Sequence, residues 1–318
     1  MVSVIVPAYN AEKTIERCLS SLLNQTLADI EIIVVNDGSQ DHTEDIINKL
    51  NSDRIRLINQ ENCGQGIARN TGIKHAHGDY IGFVDADDMI DVNMYKSMYD
   101  AAIKYDADLV QCGFLDIRNN VSHTRAIDIS GLVIIDSKEE YAVNYFRGLK
   151  HTNEVCNKLI KKSFLIDNDL WFDDTRLVFS EDLLLNIKML SYLERVYYID
   201  KPYYFYNISD GGHCLGGSGE RLEKICTLFR IGTDYSIDTI KPAIRCVACN
   251  VILEYCADDS GSPKALNDQF VKECINTSMK YKSSLKHSLI MLVIRVLPIK
   301  MKMKLIKRII QHRRKISC

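Results

Sequence analysis

Short apolar runs alternate with amphipathic segments along the first third of the chain. The apolar runs predict strands at residues 3–7, 31–35, 55–58, 80–84 and 107–114. The helical spacing of apolar residues between these runs predicts helices at residues 11–25, 41–50, 66–76 and 95–105. Continuous apolar strands separated by helices are typical of a mostly parallel sheet with helices on both faces, so we expect an α/β fold.

The pattern is less regular in the second half of the chain. Strand-like pieces at residues 132–135, 196–199 and 203–206 are mixed with helical segments up to about residue 219. Beyond residue 221 the spacing of apolar residues is helical, which predicts a C-terminal helical extension.

Carboxylates follow two of the predicted strands. Asp37 ends the second strand, and Asp85, Asp87 and Asp88 follow the fourth. Ligands of an open parallel sheet bind outside the carboxyl ends of its strands, and hard oxygen ligands suit Mg²⁺ or Mn²⁺. We therefore expect a cation site at this edge. The alternative is a loop of solvated acids that caps the helix beginning near Asp91.

Four motifs stand in the order and spacing of a known enzyme family. They are Val-Ile-Val-Pro-Ala-Tyr-Asn at 4–10, Val-Asn-Asp-Gly-Ser at 35–39, Ala-Arg-Asn-Thr-Gly at 68–72 and Gly-Asp-Tyr-Ile-Gly-Phe-Val-Asp-Ala-Asp-Asp at 78–88. Over roughly residues 1–210 the chain resembles the inverting family 2 glycosyltransferases, which have the GT-A fold. The resemblance implies a nucleotide-sugar-binding half at 1–115, an acceptor-binding half at 116–219 and a helical C-terminal region at 220–318.

The resemblance also assigns roles to the residues that match. Asp37 would accept a hydrogen bond from the base, most often uracil N3–H, while Asp87 and Asp85 would hold Mn²⁺ or Mg²⁺. His213 is a further metal candidate in the glycine-rich segment 209–219, which we expect either to close over the diphosphate or to serve as a linker. The residues expected to bind the nucleotide-sugar are Pro7, Ala8, Tyr9, Asn10, Glu12, Asp37, Arg69, Asp85 and Ala86.

Ser180-Glu181-Asp182 opens a predicted helix and is the candidate site of the catalytic base. The plain interpretation is that Ser180 caps the helix and that the two acids favour its positive end. In the family that the chain resembles, an acid at this place takes the acceptor proton, so Asp182 is the expected base and Glu181 its alternative. A helix N-terminus should lower the pKa of Asp182.

Other features bear on the substrates. The chain lacks the Gln-x-x-Arg-Trp motif of processive synthases, which favours addition of a single sugar. Asn157-Lys158-Leu159 matches a short pattern of the family, and Lys158 is a candidate for positioning the substrate. Asn207 stands where many members have Arg, which weakens the expected phosphate contact there. The acceptor would be a glycan or a lipid-linked intermediate of a surface polysaccharide.

The charge along the chain is uneven. The 318 residues include 40 basic and 42 acidic side chains, but from Lys280 onward there are 12 Lys and Arg and no Asp or Glu. Apolar residues on one face of the tail predict a basic amphipathic helix on an anionic membrane surface, or else a solvated or protein-docking helix. The acidic body argues against nucleic acid as a partner. Eleven cysteines without a visible secretory signal favour a cytoplasmic location, possibly peripheral on the inner face of the plasma membrane.

Two other functions remain open on the sequence alone. A sugar-phosphate nucleotidyltransferase has a similar sheet, although the turn after the first strand lacks the expected glycine-rich, basic character. A catalytically inactive scaffold at the membrane surface would also carry these motifs and this tail.

Overall fold

The computed structural model describes residues 1–118, 121–125, 127, 129–146, 152–208, 218–258 and 268–280. The strands in this part of the chain are β1 (Val2–Ala8), β2 (Ile30–Asp37), β3 (Ile55–Gln60), β4 (Tyr80–Phe83), β5 (Met89–Ile90), β6 (Leu109–Arg118), β7 (Val121–Arg125), β8 (Gly131–Ile134), β9 (Lys158–Lys161) and β10 (Arg195–Asn207). The helices are α1 (Ile15–Leu23), α2 (Thr43–Lys49), α3 (Gln65–His75), α4 (Met94–Tyr105), α5 (Lys138–Phe146), α6 (Lys162–Asp167), α7 (Glu181–Met189), α8 (Ser218–Tyr235), α9 (Lys241–Asp258) and α10 (Gln269–Lys280).

One mixed sheet joins all the described strands, in the order β3-β2-β1-β4-β9-β6-β10-β5. The first four strands of this order are parallel, so their carboxyl ends meet at one edge. The second half is mixed, because β9 is antiparallel to both β4 and β6, whereas β10 is parallel to β6. Strand β7 pairs with β6 and β8 pairs with β10, outside the main order.

The expected α/β class is confirmed, with three strands that the sequence did not predict, β5, β7 and β9. Strand β9 has only two purely apolar residues, Leu159 and Ile160, between two lysines. Strand β5 is two residues long. The two predicted strands at 196–199 and 203–206 are one strand, β10, whose pairing with β6 shifts register between Ile199 and Tyr204.

Both faces of the sheet are buried. Alternate residues of β1 point to opposite faces: Val4 and Val6 pack with α1 and α4, whereas Ile5 packs with α3. Gly72 allows the close approach of α3, since a Cβ there would lie 2.4 Å from a methyl group of Ile5. Burial on both faces explains why these strands are continuously apolar.

The C-terminal helices form a separate apolar cluster with α5 and α7. Leu184 and Ile187 of α7 pack in this cluster with residues of α8, α9 and α10, such as Phe229, Ile244 and Cys274. In the part of the chain that the structure describes, no helix is long and apolar enough to cross a membrane. The predicted basic helix of the tail lies outside the described residues, so its membrane role stays a prediction.

Candidate active site

The loops that follow β1 and β2 are bound to each other at the carboxyl edge of the sheet. The backbone N–H of Asn10 donates to Ser39 Oγ (3.0 Å), and Asn10 Oδ1 accepts from the backbone N–H of Gln40 (2.8 Å). Asn10 has φ 49°, a left-handed conformation that asparagine tolerates. The Glu12 carboxylate accepts from the backbone N–H of His42 (3.2 Å), which adds a second connection between the two loops.

Asp37, at the end of β2, is 3% exposed and is held by three donors. Its Oδ1 accepts from Gln60 Nε2 (2.7 Å) and from the backbone N–H of Cys63 (2.9 Å), and its Oδ2 accepts from the backbone N–H of Gly64 (2.8 Å). Gly64 has φ 87°, which favours glycine at this position. These bonds fix the orientation of the carboxylate before any ligand binds.

The turn after β4 presents three acids in different environments. Asp87 is exposed, Asp85 is partly buried and Asp88 is 1% exposed. Asp88 accepts from Tyr204 Oη (2.8 Å) and from the backbone N–H of Asn207 (2.7 Å). Burial, followed by the charges of Asp85 and Asp87, raises the pKa of Asp88 to about 8. The three carboxyl groups therefore repel one another, and the turn favours protonation of its buried member, Asp88.

Arg69 of α3 connects this turn to the start of α7. Its guanidinium is 1% exposed and donates to Asp85 Oδ1 (2.9 Å), Glu181 Oε1 (2.8 Å) and Asp182 Oδ1 (2.7 Å). Despite burial, these carboxylates raise the pKa of Arg69, so the guanidinium stays charged. Helix α3 is placed by Gly66, where a Cβ would lie 2.3 Å from the Asp173 carbonyl oxygen.

The environment of Asp182 differs from the expectation based on its helix. Ser180 caps α7, as predicted, by accepting from the backbone N–H of Leu183 (3.3 Å). The pKa of Asp182 is nevertheless raised to about 7, because burial and the neighbouring Glu181 and Asp85 outweigh Arg69 and the backbone N–H of Val155. The predicted lowering of the pKa was wrong, since three carboxylates share one guanidinium. The raised value suits a group that must accept a proton near neutral pH.

A cavity of about 510 Å³ opens beside the acidic turn. This volume is in the range of sites for small ligands. The cavity combines an exposed carboxylate with a lysine and several hydrogen-bonding groups, and it is lined by Asn10, Ala11, Glu12, Lys13, Thr14, Gln40, Asp41, Asp87 and Asn207.

Comparison with known sequences now decides the family. The sequence profile described as glycosyl transferase family 2 matches residues 3–176, which is more than half of the chain. The chain belongs to glycosyl transferase family 2. The predicted membership and the predicted enzyme class are thereby confirmed.

Named relatives agree with this assignment. The uncharacterized glycosyltransferase EpsJ of Bacillus subtilis is 37% identical over 65% of this chain. The glycosyltransferase GlyA of Streptococcus pneumoniae is 35% identical over 66% of this chain. The aligned segments cover 60% of EpsJ and 31% of GlyA, so this chain matches only part of each relative.

Solved structures share the fold. S. aureus TarS 1-349, in complex with UDP-GlcNAc, aligns with a TM-score of 0.76 over 98% of this chain and 92% of that chain, at 20% identity. The mannosyltransferase PcManGT of Pyrobaculum calidifontis, in complex with GDP-Man and Mn²⁺, aligns with a TM-score of 0.57 over 96% of this chain and 83% of that chain, at 17% identity. The expected GT-A fold is thus confirmed.

The structure places the residues that the family resemblance singled out in different surroundings. Asn10, Glu12 and Asp87 line the cavity, while Arg69 and Asp85 meet Asp182 in the buried cluster. Tyr9 is 48% exposed next to this edge. Three others have buried side chains, so they can offer a ligand mainly their backbone: Pro7, Ala8 and Ala86. His213 lies outside the described residues.

The acidic turn fits a divalent cation that is shared with a substrate. Within the described ranges, no group of three or more His, Cys, Asp or Glu side chains is arranged as a metal site. Asp85 accepts from Arg69 and Gln65, and Asp88 accepts from Tyr204 and Asn207. Asp87 is the acid of this turn that lines the cavity. Mg²⁺ usually binds through one or two carboxylates together with substrate phosphates, so this donor set suits it.

Some contributors to the site have little sequence signal. Tyr204 of β10 accepts from the Asp85 backbone N–H (3.1 Å) and donates to Asp88, so it joins the acidic turn to the far half of the sheet. Lys158 is 1% exposed and donates to the carbonyl oxygens of Thr152 and Glu154. Because it is buried, Lys158 supports the loop that donates to Asp182 and does not contact a substrate directly. In the sequence, the family motif Asn-Lys-Leu indicated Lys158, whereas no motif indicated Tyr204.

Proposed function

We propose that the protein is a metal-dependent, inverting glycosyltransferase that adds one sugar at a time. The donor is a nucleotide-diphospho-sugar, with a UDP-sugar as the first choice. The acceptor is a hydroxyl group of a glycan or of a lipid-linked intermediate of a surface polysaccharide. The named relatives include a chondroitin synthase of Pasteurella multocida, 44% identical over 29% of this chain. This similarity to a polysaccharide synthase supports a glycan as the acceptor.

We assign the proposed contact with the nucleobase to Asp37. An ionised carboxylate has about four acceptor positions, and the three protein donors leave about one for a nucleobase N–H. Uracil offers a single N3–H that matches one position. The complex of TarS with UDP-GlcNAc supports a uridine nucleotide for this fold, whereas the complex of PcManGT with GDP-Man keeps a guanosine nucleotide as the alternative.

The proposed diphosphate site is the cavity beside Asp87. Asp87 would hold Mn²⁺ or Mg²⁺ there, with Asp85 near the ribose or the cation, and Lys13 and Asn207 on the walls. A bound cation supplies positive charge that offsets the charge growing on the departing diphosphate. His213 remains a proposed additional ligand that no described contact supports.

The proposed catalytic base, which accepts the proton of the acceptor hydroxyl, is Asp182, with Glu181 as its partner. The acceptor oxygen forms a bond to the anomeric carbon as the bond from that carbon to the diphosphate oxygen breaks. The nucleoside diphosphate leaves with the bonding electrons, and Asp182 Oδ takes the proton of the acceptor hydroxyl. Attack opposite the leaving group inverts the anomeric configuration.

The single observation that carries the proposal is the buried Arg69 cluster. One guanidinium holds Asp85, on the donor side, and Asp182, the acceptor-side base, at 2.9 and 2.7 Å. Such an arrangement keeps the carboxylates in a fixed relative position, which is what a displacement at one carbon requires. A solvated acidic loop would not need a buried cation between two distant segments.

A calorimetric titration with UDP, GDP and CDP, with and without Mn²⁺, tests the proposal. We expect UDP to bind, binding to need the metal, and Asp87→Ala to abolish the effect of the metal. Preference for GDP or CDP would change the proposed donor class. The absence of binding to all three would favour the scaffold function. Conversion of a nucleotide-sugar and pyrophosphate into a nucleoside triphosphate and a sugar 1-phosphate would favour the nucleotidyltransferase.

Location at the inner face of the membrane is the last part of the proposal. It rests on the basic tail that follows residue 280. Truncation after Lys280 should abolish binding to vesicles that contain anionic lipid and leave UDP affinity unchanged. Equal vesicle binding by the truncated chain would exclude the tail as the membrane contact.

A further inference from the structure

Arg125 is the inward-facing end of an otherwise exposed strand. The residues of β7 that precede it are all exposed, whereas Arg125 is partly buried. Its guanidinium lies over the Phe114 ring (4.2 Å to the centroid) and near the Tyr206 ring (5.5 Å), and it donates to Asp116 Oδ1 (2.9 Å) and Glu154 Oε1 (2.8 Å). An arginine held by two carboxylates and two rings has a defined orientation.

Glu154 is adjacent in the sequence to a residue that binds the candidate base. The next residue, Val155, donates its backbone N–H to Asp182 Oδ2 (3.1 Å). The side chains of Glu154 and Arg125 remain 30% and 33% exposed, so both are accessible to a ligand. One bond from Arg125 leaves further acceptor positions on the Glu154 carboxylate.

Tyr206 connects this group to the acidic turn. Its neighbour Asn207 donates its backbone N–H to Asp88. Burial, together with the charges of Asp88, Asp85 and Glu154, raises the pKa of Tyr206, which shows that the phenol lies in a negative field. Arg125 thus gathers a carboxylate, that of Glu154, and an aromatic ring, that of Tyr206, in one partly exposed cluster.

We propose that Glu154, Arg125 and Tyr206 form the subsite for the acceptor sugar, and that the sugar residue bound there is uncharged. This inference rests on the proposed function, because it requires Asp182 to be the base. Hydroxyl groups of a neutral sugar donate to Glu154 and accept from Arg125, and the apolar face of the ring packs on Tyr206.

The charge of the site argues for a neutral acceptor. Three cations, Arg125, Lys158 and Arg69, stand here against five carboxylates, those of Asp116, Glu154, Asp85, Glu181 and Asp182. A uronate or phosphate at this position would meet like charges on two sides, and such contacts disfavour a wrong ligand strongly. A divalent cation and a nucleoside diphosphate carry opposite charges that offset each other. Their binding would therefore leave the excess of carboxylates over cations in place.

Saturation-transfer NMR with matched glycosides tests the subsite directly. The probes are methyl β-glucoside against methyl β-glucuronide, methyl β-galactoside against methyl β-galacturonide, and methyl N-acetyl-β-glucosaminide against its 6-phosphate. Each is titrated into the full chain with saturating UDP and Mg²⁺. We expect at least one neutral glycoside to bind about tenfold more tightly than its charged counterpart, since the counterpart brings a negative group at C6 to a site where carboxylates outnumber cations.

Glu154→Gln should weaken the binding of the neutral glycoside about tenfold and leave the UDP affinity unchanged. It should also reduce the ratio between the affinities of the neutral and the charged probe. Arg230→Met and Asp268→Asn are matched controls, because that ion pair (3.1 Å) also lies near a ring, Phe270, but in the C-terminal helices. Both controls should bind every probe as the wild type does.

Three results would overturn the subsite. They are equal or tighter binding of the charged probes, binding of UDP without any neutral glycoside, and glycoside affinities that Glu154→Gln leaves unchanged. If UDP itself does not bind, the proposed function fails first and the subsite fails with it, so the two failures are distinguishable.

Discussion

The two halves of the catalytic domain place their functional groups in different ways. In the donor half, Asp37 and Asp87 stand in turns that directly follow the parallel strands β2 and β4. In the acceptor half, Asp182 is placed by Arg69, which is 113 residues away, and by Val155 in a loop supported from below by Lys158. The donor-side acids are brought to one edge by the ends of parallel strands and are then held by more distant donors. Asp182 instead lies at the start of a helix and is positioned by distant partners.

This difference indicates where each half is sensitive to change. A turn after a parallel strand keeps its place because the strand is fixed by pairing on both sides. A base that is placed by buried ion pairs loses its position when one partner is removed. We therefore expect substitutions to separate nucleotide binding from sugar transfer.

Arg69→Met should have the largest effect, because it leaves three carboxylates without their shared cation. Loss of one partner of a buried ion pair costs about 3–5 kcal/mol of stability, so thermal unfolding should occur at a clearly lower temperature. Sugar transfer, measured as UDP release from a UDP-sugar, should become undetectable. Arg69→Lys keeps the charge and should recover part of the stability but little of the activity, because it lacks the guanidinium fork. If Arg69→Met unfolded at the same temperature as the wild type, the claim that Arg69 stabilises the three carboxylates would be contradicted.

Asp37→Asn should affect the donor half alone. A hydrogen bond to a charged group contributes about 1.5–3 kcal/mol, so the Kd for UDP should rise about 10- to 100-fold. The matched control is Asp108→Asn, since Asp108 also accepts from two backbone N–H groups, those of Glu194 and Arg195, but at the amino end of β6. An unchanged Kd in Asp37→Asn, measured by calorimetry, would exclude Asp37 as the base contact.

Lys158→Met should affect the acceptor half alone. The loop that donates to Asp182 would lose the buried cation beneath it, and a small displacement of a catalytic group costs up to about 100-fold in rate. We expect kcat to fall about 10- to 100-fold while the Kd for UDP stays unchanged. Lys138→Met is the control, because Lys138 also donates to backbone carbonyls, those of Tyr192 and Leu193, away from the site. Equal losses in the two variants would reduce Lys158 to a general stabilising residue.

A further prediction concerns the dependence of stability on pH. The pKa of Asp182 is raised to about 7 in the native protein and returns to about 4 in the unfolded chain. The native state therefore binds more protons than the unfolded state between these values, and its stability falls as the pH rises from about 4 to 7. Asp182→Asn lacks this contribution, so its Tm should fall less than the wild-type Tm over this range in metal-free buffer. A wild-type Tm that rises relative to the variant would contradict the raised pKa.

The sequence was most informative about the donor half. Its apolar runs follow the strands closely, because burial on both faces leaves an unbroken apolar signal in β1, β2 and β4. The site acids could be found because turns after parallel strands converge in space. The antiparallel β9 was missed because half of its four residues are lysines.

The sequence was least informative about side chains that act through distant partners. A capping position alone predicts a lowered pKa for Asp182, and only its burial and the positions of Glu181 and Asp85, which outweigh Arg69, reveal that the pKa is raised. Arg125 looks like an exposed residue of a polar strand until its contacts with Phe114 and Glu154 are seen. Such roles depend on tertiary packing that no local pattern records.

The central claim is that the two halves divide nucleotide binding and proton transfer between them. The most direct test measures the Kd for UDP with Mn²⁺ and the rate of sugar transfer in the same preparation of Asp182→Asn. The account predicts a Kd within about twofold of the wild type and a transfer rate lowered at least about 100-fold, which is the lower range of general-base contributions. Transfer at the wild-type rate, or a loss of UDP affinity as large as the loss of rate, would contradict it.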